Sequence, residues 1–187
     1  MQFSVGRPDM IRAINQRWLL KFWKRELGNQ RVPRWQTVEA EDLRRVTTHL
    51  SFLDVVGDGD DARFQIRFHG TMVGRVYGSD DCRGKYINDM MPPGAGPNAL
   101  MPYYKTVVDG CPVYTVHDVI DRQGRVVHFE RLLLPFSRDG QIADRILASF
   151  EFVSPDGAFE SQALMTTLTA PPALRLSATI PSFHLAG

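Results

Sequence analysis

Two cysteines, five histidines and a few polar residues set among apolar strands are the groups in this 187-residue chain with chemistry to offer. Cys82 and Cys111 stand in turn-like contexts, DDCRGK and DGCPVY, and read as two free thiols of a cytosolic protein rather than as a disulfide framework. Among His49, His69, His117, His128 and His184 no pair has close metal-ligand spacing, so no metal site is assigned. His117 with Asp118 and His128 with Glu130 fall on neighbouring strands and converge only if the pairing register brings them together. Ser137 and Ser149 lack a G-x-S-x-G setting, and no set of nucleophile, base and oxyanion donor can be assembled, so no catalytic residue is assigned and the chain reads as a non-enzyme. GAGPNA, residues 94–99, has the outline of a phosphate loop but lacks the closing Gly-Lys-Ser/Thr that would reach phosphate and metal; it reads as a loop.

The segment RVVHFERLLL carries the most pointed ambiguity. As a strand it places Val127, Phe129, Arg131 and Leu133 on one face and Val126, His128, Glu130, Leu132 and Leu134 on the other. If the first face is inward, Arg131 is a buried cation that needs a carboxylate of the protein or an anionic ligand; if the second, His128 and Glu130 are the buried polar pair. The first arrangement is the one adopted for the candidate site below.

These groups must be held by the stretch Leu50–Val153. LSFLDVV and ARFQIRFH alternate as strands around the acidic turn GDGDD, and Phe64, Ile66 and Phe68 share the face expected to meet the core. GTMVGRVYG reads as a short helix, DDCRGKYINDMMPPGAGPNAL as broken helix and loop, and NALMPYYKTVVDG as a helix that tolerates Pro102 in its first turn. PVYTVHDVI, RVVHFERLLLPF and ADRILASFEFV, joined by short turns, form an antiparallel meander. The fold class is therefore α+β: a five-stranded antiparallel sheet with helices on one face, an N-terminal helix and a C-terminal arm.

Three regions follow, residues 1–48 as a helical extension, 49–153 as the sheet domain and 154–187 as a tail or arm. The helix expected from Asp9 to Leu27 carries Ile14, Trp18 and Phe22 at helical spacing in an unusually wide apolar stripe, which suggests a homodimer interface beside the plainer reading of a helix docked on its own domain. Residues 1–45 hold ten Lys or Arg against five Asp or Glu, while the whole chain is only +1 with a pI near 7.8, so bulk charge offers no case for nucleic acid. No apolar stretch reaches the ~20 residues of a membrane span, and the first residues lack a signal-peptide pattern; a cytoplasmic protein is expected.

FWKREL, VPRW, LRRVTTHLSFLDVV, RFQIRFHGTMVGRVYG, RGKYINDM and FERLLLPFSRDGQIADRILASFEF together resemble an alphaproteobacterial PAS-like domain family of unassigned function, over roughly Trp23 to Val153. The G-T after the second strand and the L-P-F-S-x-D-G turn carry most of the likeness. The resemblance implies a PAS fold, a role in signal transduction with an unknown signalling partner, and a pocket between the sheet and its helices; it carries over no catalytic residues. Covalent flavin is disfavoured, because aligning the Gly84-Lys85 pair with the light-sensing motif puts Ile87 where its reactive cysteine belongs. Haem is disfavoured because no histidine lies in the helix before the third strand, where haem-binding PAS domains often place the axial ligand. The pocket expected from this likeness is lined by Phe68, Met72, Tyr104, Phe129, Arg131 and Phe150. Two readings result: a sensor that binds a small molecule, or a dimerisation module with a filled core.

Overall fold

A computed structural model describes residues 1–79, 81–90, 97–168 and 170–181. Among these residues seven strands form one sheet: β1 (Ser4–Val5), β2 (Leu50–Val56), β3 (Arg63–His69), β4 (Val113–Ile120), β5 (Val126–Phe136), β6 (Arg145–Val153) and β7 (Ala173–Thr179), in the spatial order β1-β7-β4-β5-β6-β2-β3. The five strands expected from the sequence make the continuous run β4-β5-β6-β2-β3, antiparallel throughout. The other two come from the ends of the chain. The expected arm returns to the body: β7 pairs antiparallel with β4, in register from Val113 opposite Thr179 to Asp118 opposite Ala173, and β1 then adds in parallel to β7. β4 would otherwise be an open edge with unpaired backbone groups, and β7 covers it. Pro181 is the last described residue of the arm, and His184 lies outside the described residues.

Among the described residues five α-helices accompany the sheet: α1 (Ile14–Leu27), α2 (Ala40–Leu43), α3 (Thr71–Tyr77), α4 (Ile87–Met90) and α5 (Met101–Asp109). As expected, α3, α4 and α5 cover one face, and the N-terminal α1, with α2, covers the other. The inner layer packs Val73, Val76, Ile87 and Tyr103 of α3, α4 and α5 against Leu53, Phe64, Ile66, Phe129, Leu133, Ile146 and Phe150. The outer layer packs Leu19, Leu20, Phe22, Trp23 and Leu27 of α1, with Leu43 and Val46, against Leu50, Tyr114, Leu132, Leu134, Phe136 and Leu147. β5 is accordingly buried on both sides from Phe129 to Phe136, the pattern of a central strand covered on both faces.

The width of the α1 stripe has its reason here, since the helix spans the outer face of its own sheet. Phe22 is buried in that interface and is not available to a second chain, which corrects its assignment to a dimer surface; Ile14 is 71 % exposed, and Trp18 is half-buried, stacked on Phe22 at 5.6 Å with the Arg45 guanidinium 5.0 Å above its ring. Polar contacts fix the docking. Gln16 Nε2 donates to the carbonyls of Glu130 and Ser149, and Trp23 Nε1 donates to the Pro135 carbonyl at 2.6 Å. The helix starts later than Asp9: Pro8–Met10 is a separate 3-10 turn, and extended backbone at Ile11 and Ala13 intervenes.

Gly70, the glycine of the G-T pair, joins β3 to α3 where the chain passes the turn 44–49. A Cβ there would overlap the Thr47 carbonyl and the Thr48 backbone, so the position requires a residue with no side chain.

Candidate functional site

Between the inner face of the sheet and α3, α4 and α5 lies a cavity of about 400 Å³. Its floor comes from the sheet: Ser51, Ile66, His69, His117, Phe129, Arg131 and Phe150. Val73 and Tyr77, one turn apart on α3, supply one wall, and Cys82, Ile87, Met90 and Tyr103 supply another. Met1, Met165, Pro171, Pro172 and Leu174 line the remaining side, so the first residue and the segment leading into β7 both border the cavity. Residues 94–96 of the GAGPNA segment lie outside the described residues; Asn98 and Ala99, at its end, stand on the cavity wall.

Of the expected pocket residues, Phe129, Arg131 and Phe150 line this cavity. Phe68 does not. β3 pairs Ile66 with Leu53 but Phe68 with Phe52, leaving Arg67 as an extra residue in the strand. A bulge of this kind reverses the alternation beyond it. Phe68 therefore joins Phe52, at 5.4 Å, and Trp35 on the outer side of the sheet, while His69, opposite Ser51, turns into the cavity. Met72 packs half-buried at the margin of the inner core, and Val73 takes the inward position on α3. Tyr104 is replaced by its neighbour Tyr103; its own hydroxyl donates to the Ala62 carbonyl at 3.0 Å, tying α5 to the start of β3. Adjacent helical residues point about 100° apart, and tyrosine pairs such as these give a sequence pattern no means of choosing between them.

Three of the histidines have structural or cavity roles. His69 Nε2 accepts the Cys82 backbone N–H at 3.0 Å, and burial holds its pKa below the ordinary value, so it serves as a neutral acceptor. His117 lies beside Phe129, ring centroids 6.1 Å apart, and its Nδ1 is buried without a hydrogen-bond partner among the described residues. Burial first, and then the nearby Arg131 cation, push its pKa down to about 4. His128, on the opposite face, meets Asp118 at 2.8 Å because β4 and β5 pair these two residues directly; Arg175 of β7 completes that cluster. No group of three or more His, Cys, Asp or Glu suited to a metal occurs among the described residues.

Arg131 is 5 % exposed and lines the cavity, so its face of β5 is the one turned toward the inner helices. Its Nε donates to Thr115 Oγ1 at 3.3 Å and its guanidinium lies 4.9 Å from the Tyr103 ring centroid and 5.9 Å from that of Phe129. No carboxylate pairs with it among the described residues. Glu130 is buried as well, on the other face beneath α1, where it accepts the Tyr114 hydroxyl at 2.8 Å; burial and that carboxylate push the phenol's pKa up. The two alternatives for this strand thus coexist, each face carrying one buried charged residue.

An antiparallel five-strand core with helices flanking a cavity defines a small α+β domain built around a pocket. The PAS domain family model matches residues 11–150, and the chain belongs to the PAS domain family. No curated protein matches it. PAS domains act as sensory or regulatory modules and are in general non-catalytic. No helix among the described residues is long and apolar enough to cross a membrane.

Proposed function

We propose that this chain is a non-catalytic cytoplasmic sensor in signal transduction, holding a small molecule in the cavity between the sheet and its inner helices. The observation that supports the reading is the cavity itself. At about 400 Å³ it falls within the range of small-molecule sites, and it has the composition of one, mostly apolar with few polar groups. A fold that needed only a filled core would close such a space, since interiors pack to crystal-like density. Met1, Pro171, Pro172 and Leu174 form part of the wall, so occupancy bears on the segments that lead into the paired strands β1 and β7, a route to a signalling partner.

Native mass spectrometry of the purified chain, repeated after denaturation, tests this. A non-covalent mass that disappears on denaturation, and that is lost from a cavity-filling Val73→Phe variant that still folds, is the expected result. A clean apo spectrum in which neither the protein nor the variant responds thermally to small apolar probes sinks the sensor reading. A homodimer takes second place: with Phe22 buried, an α1 interface would have to rest on Ile14 and the exposed edge of Trp18.

A further inference from the structure

We propose that the ligand is a monocarboxylate with an apolar body, its carboxylate seated on Arg131 and His117 and its body in the hydrophobic part of the cavity. This rests on the reading of the cavity as a ligand site.

Buried charges in proteins are paired, because an isolated ion loses several kcal/mol of hydration that nothing restores. The buried aspartates of this chain follow the rule: Asp118 has His128 and Arg175, and Asp121 has Arg125 and the backbone N–H groups of Gln123, Arg125 and Glu160, while Glu130, outside the cavity, meets the Tyr114 hydroxyl. Arg131 departs from it, with one long hydrogen bond to a neutral hydroxyl and two aromatic faces for neighbours. Of the residues outside the described ones, 91–96, 169 and 182–187 contain no acidic side chain, and Asp80 is the one that has it. A guanidinium on a cavity wall, free of any protein carboxylate among the described residues, is shaped to accept a carboxylate through two parallel N–H···O bonds.

The rest of the wall narrows the class. His117 adds a polar group to the wall beside Arg131, and as a neutral imidazole it has one N–H to donate to the same anion without adding charge. Arg131 is the only Lys or Arg side chain among the described lining residues, and Ile66, Val73, Phe150 and Met165 would give the further charge of a dicarboxylate or a phosphate no partner. Those side chains instead fit an alkyl or aryl body, and the near-parallel rings of Phe129 and Phe150, 6.0 Å apart, offer an aromatic surface on the floor.

The test uses the full chain in thermal-shift and calorimetric titrations with benzoate, phenylacetate and hexanoate, each beside its primary amide, which matches its shape without the charge. The acids are expected to stabilise the chain and the amides to bind roughly ten- to a hundredfold more weakly, the range set by a charged hydrogen-bonded pair. Arg131→Met, which keeps an apolar stem, is expected to remove the acid preference while leaving amide binding in place. Amides that bind as well as acids, or an acid preference that survives Arg131→Met, overturn the carboxylate assignment and leave the cavity reading standing. No binding by any of the six compounds overturns both. The acid-to-amide comparison on the unaltered chain decides the matter even if Arg131→Met fails to fold.

Discussion

Removing the Trp23 side chain tests whether α1 is part of the domain or a free arm. The indole is fully buried between the helix and the outer face of β5, and its N–H donates to the Pro135 carbonyl at 2.6 Å. Truncating a buried aromatic to alanine costs about 3–5 kcal/mol through lost transfer energy and the cavity left behind, and the lost hydrogen bond adds about 1 kcal/mol. Trp23→Ala should therefore lower unfolding stability by roughly 4–6 kcal/mol, against a typical total of about 5–15 kcal/mol. Trp23→Phe, which keeps most of the packing and loses the N–H, should cost about 1–2 kcal/mol. Ile14→Ala, at a position 71 % exposed, should fall within about 0.5 kcal/mol of the parent. Urea unfolding followed by circular dichroism at one fixed chain concentration measures all three. A Trp23→Ala loss below about 1 kcal/mol with an unchanged denaturant slope, or an Ile14→Ala loss equal to it, would refute the docking of α1 on its own sheet.

Other consequences concern glycine, acid and thiol. Gly70→Ala should prevent folding, because its Cβ has no space beside the Thr47 and Thr48 backbone; soluble, cooperatively unfolding protein would contradict that placement. His117 has a depressed folded pKa, so its contribution to stability is present above the unfolded value near 6.5 and is lost as pH falls toward about 4, by up to about 3 kcal/mol. The parent should lose stability over that window and His117→Asn should lose less; parallel melting-temperature profiles would count against a buried neutral imidazole. His49 works in the other direction: the hydrogen bond to Glu151 raises its pKa, so its contribution is full below about 6.5 and is lost as pH rises through the raised value, a slope that Glu151→Gln should flatten. Burial and the Asp109 carboxylate push the Cys111 thiol up to about 11, which leaves roughly one thiolate in a thousand at pH 8. Alkylation there should be slow in the folded protein and fast in urea, as peptide mapping would report.

The order of strands and helices was legible because it rests on short-range pattern. Alternation in LSFLDVV and in the three strands of the meander, with glycine- and aspartate-rich turns between them, specifies antiparallel neighbours whatever else the chain does. The C-terminal strand was not legible. ALRLSAT carries too few large apolar residues to announce itself, and it becomes a strand because β4 presents an unsatisfied edge for it to bond. The second helical layer was hidden for a related reason, since an apolar stripe on α1 states that a surface will be covered without naming the surface.

For the site, residue types alone raised Phe129, Arg131 and Phe150 and the question of what would neutralise a buried arginine. They could not raise His69, because one extra residue at Arg67 decides which of Phe68 and His69 faces inward, and that bulge exists only through the pairing of β3 with β2. Nor could they choose Tyr103 over Tyr104, a matter of helix rotation, or bring Met1 and Leu174 to the cavity wall from opposite ends of the chain. Sequence by itself determined the class of fold and the presence of a cation on a central strand, since both follow from local periodicity. Tertiary structure decided that the cation borders an open cavity without a protein partner among the described residues, because burial and pairing are relations between segments distant in the chain.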